Sequence, residues 1–114
     1  MSPITTHVLD TARGRPAGGV QVQLESGDGA GGFVLLGRGA TDADGRCQTL
    51  LPDQHRLAPG VYRLRFDTGA WFAAQGLEAF FPSVEIVFEL KTVERHYHVP
   101  LLLSPFGYST YRGS

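Results

Sequence analysis

Apolar and polar side chains alternate along most of this chain with a period of two, the pattern of strands that bury one face. In ITTHVLD, residues 4–10, Ile4, Thr6 and Val8 share one face and Thr5, His7 and Leu9 the other. Its β-branched content favours a strand, and the Gly- and Pro-rich TARGRPAGG ends it. In VQVQLE, residues 20–25, Val20, Val22 and Leu24 point inward, and the flexible SGDGAGG joins this strand to FVLLGRGAT at 33–41. VYRLRFDT, residues 61–68, sets Tyr62, Leu64 and Phe66 against Val61, Arg63, Arg65 and Asp67. SVEIVFELKT, ERHYHVPLLLS and FGYSTYRGS read as three further strands separated by short turns. DTGAWFAAQG is the one helical stretch, two turns at most, with Asp67 or Thr68 as N-cap and Gly76 as its stop. Seven or eight strands and one short helix predict an all-β sandwich of two sheets, a single domain over residues 1–114.

Composition agrees with that class and removes several functions. A chain of 114 residues closes one modest core without disulfides, and fifteen Gly and seven Pro interrupt it too often for long helices. Ten basic residues against eleven acidic ones leave a net charge of −1, without the cationic surface that nucleic acid requires. No apolar run approaches the roughly 20 residues of a bilayer span, so no membrane partner is expected either. Cys47 is the only cysteine, which rules out an intramolecular disulfide and suits a small apolar core position. MSPITTHVLD has neither a basic start nor an apolar stretch of about 7–15 residues, so a cytoplasmic location is expected.

Two glycine motifs point to turns. Gly27, Gly29 and Gly32 satisfy G-x-G-x-x-G, but a strand follows where a dinucleotide site needs a helix N-terminus. Asp42, Asp44 and Gly45 suggest a calcium loop, yet the register that makes Gly45 the sixth position puts Ala40 first and Leu51 twelfth, where carboxylates are required. A tight Asp-Gly turn remains, with Gly45 at positive φ and Arg46 opening a short strand.

The histidines are the candidate chemistry. His96 and His98 share a strand face with Pro100 and Leu102, opposite Tyr97, Val99 and Leu101. A histidine on a strand is more often a structural, hydrogen-bonded group than a functional one. With His7 the pair has the ligand types of a zinc centre, but the two-residue spacing is common by chance and no carboxylate is placed to orient the rings, so no metal is expected. The terminal YSTYRGS either frays in solvent or brings a guanidinium, an open backbone and a hydroxyl to one spot.

HVLDTARGRPA, His7 to Ala17, and YHVPLLLSPFGYSTYRGS, Tyr97 to Ser114, closely resemble the two signatures of the transthyretin-like 5-hydroxyisourate hydrolases. Between them, TDADGR (Thr41 to Arg46) and AFFPSVEIVFE also resemble that family, so the likeness covers the whole chain. It implies two four-stranded sheets with a short helix, assembled as a homotetramer, a dimer of dimers around a central channel with active sites at the dimer–dimer interface. It also implies a small-molecule substrate, 5-hydroxyisourate, opened at its N1–C6 amide to 2-oxo-4-hydroxy-4-carboxy-5-ureidoimidazoline in urate degradation, with no cofactor. Carried over residue by residue, His7, Arg46, His98 and Ser114 match catalytic positions, and His7, Arg46, Tyr111, Arg112, Gly113 and Ser114 match substrate-binding ones. Thyroid-hormone carriers of the same fold have Lys in place of His7, Glu in place of Arg46, Thr in place of His98 and no YRGS ending. His96 lies outside the matched motif and is expected to flank the site. Whether His7 or His98 acts as the general base stays open, while a serine nucleophile is disfavoured because no Asp or Glu stands near a histidine. The alternative is a carrier of the same fold without catalysis.

Overall fold

Ile4, Val8, Val20, Val22, Leu24, Leu64, Phe66 and Leu101 are almost wholly removed from solvent, and the strands that carry them pack as the two layers of a sandwich. The computed structural model describes residues 2–92 and 96–114. Its elements are β1 (Ile4–Asp10), β2 (Arg15–Pro16), β3 (Gln21–Gly27), β4 (Phe33–Ala40), β5 (Arg46–Cys47), β6 (Gly60–Phe66), α1 (Thr68–Ala73), β7 (Val84–Leu90), β8 (Tyr97–Ser104) and β9 (Gly107–Thr110). One sheet runs β2-β1-β8-β9 with β5 also paired to β1, and the other runs β4-β3-β6-β7. The first and eighth strands are parallel neighbours, with Thr5 opposite His98 and His7 opposite Pro100. A parallel pair needs a long crossover, and here the whole second sheet lies between its two strands in sequence.

The alternation reading holds where one face is buried. Val20, Val22 and Leu24 are inside, as are Tyr62, Leu64 and Phe66, and Cys47 is a core residue. The implied pair of four-stranded sheets is corrected to five and four strands. The addition is β2, since Arg15 and Pro16 were expected to be loop. Gly14, at φ +69°, turns the chain so that Arg15 and Pro16 pair back on Asp10 and Leu9, and Pro16 is tolerated because this strand lies at the sheet edge. In β4 alternation fails: Val34, Leu35 and Leu36 are all exposed, and a bulge between Leu24 and Glu25 shifts the register with its neighbour. The helix occupies the expected place. Asp67 is its N-cap without a side-chain capping bond, and Gly76, at φ +71°, follows its end. ERHYHVPLLLS forms a strand from Tyr97 onward, and its Glu94 and Arg95 lie outside the described residues. No helix among the described residues is long and apolar enough to cross a membrane.

The turn before β5 is built by one carboxylate. Oδ1 of Asp42 accepts the backbone N–H of Asp44 and of Arg46, each at 2.9 Å, and Gly45 supplies the positive φ of +79°. A Cβ on Gly45 would stand 2.3 Å from the carbonyl oxygen of Val8, so the turn can lie against β1 only with glycine there. This close approach sets Arg46 directly opposite His7.

Candidate active site

Strand register stacks two residue pairs on one face of the five-stranded sheet. Thr5 faces His98 across β1 and β8, and two residues further along β1 His7 faces Arg46 across β1 and β5. Two residues along a strand span about 7 Å, the scale of a bicyclic ring. Nε2 of His7 lies 2.8 Å from the carbonyl oxygen of Asp44. A carbonyl can only accept, so Nε2 carries the hydrogen and a neutral His7 keeps Nδ1 as its acceptor. The turn that delivers Arg46 thereby also orients His7.

His98 is held from two sides. Its Nδ1 is 2.8 Å from Oγ1 of Thr5, and the same hydroxyl is 3.0 Å from Nε2 of His96. The two imidazoles lie nearly parallel, 16° apart with centroids separated by 6.3 Å. Behind the His98 ring passes the C-terminal backbone: Gly113 bridges to His98, and its N–H donates to the His98 carbonyl at 2.8 Å. A Cβ on Gly113 would come within 2.7 Å of His98 Cδ2, so glycine alone lets peptide and ring lie together. Thr110 fixes the approach to this bridge by donating to the Pro100 carbonyl at 2.7 Å.

Burial pushes the His98 pKa below its usual 6.5, and the fields of His96, Arg46 and His7 push it further down, with Thr5 opposing them. The ring is therefore neutral at pH 7, and Arg46 and His7 stand close enough to act on it.

His7, Arg46, His98 and Gly113 thus come together, whereas the rest of the expected set spreads outward. Arg112 lays its guanidinium over the Tyr97 ring, 5.2 Å from the centroid. With Tyr111, His98, Val87 and Glu89 these two line a groove of about 320 Å³ between β7 and the β8–β9 pair. His7 and Arg46 do not line that groove. Tyr111 is 57% exposed, and Ser114 is exposed one residue beyond the bridge. Among the described residues no three His, Cys, Asp or Glu side chains form a cluster suited to a metal ion. Thr5 was absent from the sequence-derived set. Its shared face with His7 was visible there, but its contact with His98 needed the parallel register.

The model of the HIUase/Transthyretin family matches residues 4–113. The chain belongs to the HIUase/Transthyretin family. Within that family it is 47% identical over 111 residues to the 5-hydroxyisourate hydrolase of Salmonella dublin, covering 97% of this chain and 80% of that protein. The solved Klebsiella pneumoniae 5-hydroxyisourate hydrolase superposes with a TM-score of 0.84 at 42% identity and full coverage of both chains. Sea bream transthyretin in complex with thyroxine superposes with a TM-score of 0.89 at 37% identity, covering 97% of this chain and 94% of its own. Backbone shape therefore does not separate a hydrolase from a thyroxine-binding member of the HIUase/Transthyretin family. The side chains on the sheet face have to do so.

Proposed function

We propose that this chain, as one domain, hydrolyses 5-hydroxyisourate, opening the N1–C6 amide to yield 2-oxo-4-hydroxy-4-carboxy-5-ureidoimidazoline without metal or cofactor. The observation that carries the reading is the imidazole of His98, held at Nδ1 by Thr5 and at its backbone by Gly113, beside His7 and Arg46. His98 takes a proton from water at Nε2 as the oxygen–C6 bond forms, and that proton passes to N1 as the C6–N1 bond breaks. A positioned base of this kind contributes about 10²–10⁴ in rate. Arg46 directs its fixed fork of donors at the oxyanion developing on C6, and the Nδ1 of His7 accepts a ring N–H of the substrate. Gly113 leaves room over His98, with Tyr111, Arg112 and Ser114 closing the substrate's outer edge.

One side of this site is open in a single chain. Leu9 and Leu102, paired across β1 and β8, are half-buried on the same face, and Tyr111 and Phe106 expose 57% and 67% of their surfaces. Pro100, on the same strand face as Leu102, is already buried within the chain. A homotetramer formed as a dimer of dimers covers the remaining apolar surface and closes the site. Light scattering at micromolar concentration is expected to give the mass of four chains, and a monomer would contradict this assembly.

The carrier reading draws on the likeness to thyroxine-bound transthyretin, and turnover separates the two, because a carrier releases its ligand unchanged. The pH profile gives a sharper expectation. Since the His98 pKa lies below 6.5, the base form persists as pH falls through 6.5 and is lost only at lower pH. The acid limb of kcat/KM is therefore expected below 6.5, the value of an unperturbed imidazole. An acid limb at or above that value would contradict a base of lowered pKa at His98.

A further inference from the structure

A hydroxyl has one hydrogen and two lone pairs, so Thr5, placed between two imidazoles, either donates to one ring and accepts from the other or accepts from both. Three arrangements satisfy this. In the first, Nδ1–H of His98 donates to Oγ1 of Thr5 and the Thr5 hydroxyl donates to Nε2 of His96, which leaves Nε2 of His98 as an open lone pair. In the second every donor is reversed, and Nε2 of His98 carries a hydrogen and can take no proton from water. In the third both rings donate to Oγ1 of Thr5, which again leaves Nε2 of His98 open. We infer that Thr5 and His96 are positioning residues that hold His98 in its Nδ1–H tautomer and so keep Nε2 open as a base. The inference rests on the hydrolase reading with His98 as its base.

Three observations support it. Thr5 is 2% exposed, and at such a position valine would fill the same volume and favour a strand equally well, so the strand does not need the hydroxyl. A buried hydroxyl has to find partners, and its partners here are these two ring nitrogens. Among the described residues Arg46, His7 and His96 all oppose a second proton on His98, and the Thr5 hydroxyl is the group seated at its Nδ1. When His98 takes the proton from water, its Nδ1–H bond to Thr5 becomes charge-assisted and strengthens while the transition state forms. An aspartate does this for a serine-protease histidine, whereas here a neutral hydroxyl backed by a second imidazole does it.

The test combines kinetics with long-range proton–nitrogen correlation NMR of the histidine rings in full-length labelled protein. Wild-type His98 is expected as the Nδ1–H tautomer. Thr5→Val is expected to lower kcat at least about tenfold with KM within about twofold, and to give His98 a mixture of tautomers. Thr5→Ser should restore both the rate and the tautomer, which a purely structural role of the methyl group would not do. His96→Phe, at an exposed position, should reproduce the tautomer change and provides the same readout should the buried variant fail to fold. An Nε2–H tautomer in the wild type, or a Thr5→Val protein with unchanged kcat and tautomer, would overturn the inference. If the wild type does not hydrolyse 5-hydroxyisourate, the functional reading fails, while the NMR spectrum still decides whether Thr5 sets the tautomer.

Discussion

Combining His98→Thr with Arg46→Glu is expected to reduce kcat/KM for 5-hydroxyisourate at least about 10³-fold while leaving the fold intact. The first change removes the proposed base, worth about 10²–10⁴, and the second replaces the proposed oxyanion donor, worth about 10²–10³, with a negative charge. Groups that act on one transition state do not contribute additively, so the lower bound is set well below the product of the two factors. The fold should survive because Arg46 is exposed and His98 half-buried, and neither belongs to the apolar core. Steady-state kinetics together with circular dichroism and thermal unfolding check both parts. A folded double variant with wild-type turnover would remove both residues from the mechanism.

The second large effect is expected from the chain terminus. Gly113→Ala adds a methyl group where only 2.7 Å separates the Cβ position from His98 Cδ2, so the ring or the terminal backbone beside it must shift, and a shift of the ring loosens its 2.8 Å contact with Thr5. Misplacing a reacting group by about 1 Å costs on the order of 10² in rate, and a loss of that size in kcat is expected here. The melting temperature should change little, because the bridge lies outside the core. Deleting Arg112, Gly113 and Ser114 should be at least as harmful to the rate. Full activity in Gly113→Ala would mean that the terminal backbone does not set the ring.

Sandwich class was legible because β1 buries Ile4, Thr6 and Val8, β3 buries Val22 and Leu24, and β6 buries Tyr62, Leu64 and Phe66, each set on one face, which period-two alternation reports directly. Alternation tells which way a side chain points and not which strand lies beside it. The parallel pairing of β1 with β8 joins residues about as far apart in sequence as this chain allows, so the meeting of Thr5 with His98 was not readable from spacing. His7 and Arg46 were matched separately by motif, and the Asp42 turn explains why they face one another. Arg15 and Pro16 looked like a strand terminator because Gly and Pro break elements more often than they pair. At the terminus the sequence allowed a frayed end, and the bridge from Gly113 to His98 excludes fraying at that residue.

The central claim is catalysis at the face shared by His7, Arg46 and His98. Its most direct test is to generate 5-hydroxyisourate in place with urate oxidase and follow its ultraviolet decay with and without this protein, in the presence of a strong chelator. Many turnovers per chain, at a rate proportional to protein concentration and indifferent to the chelator, are the expected result. Decay no faster than the uncatalysed rate, or slowed in proportion to the protein added as a stoichiometric binder would slow it, would contradict the account.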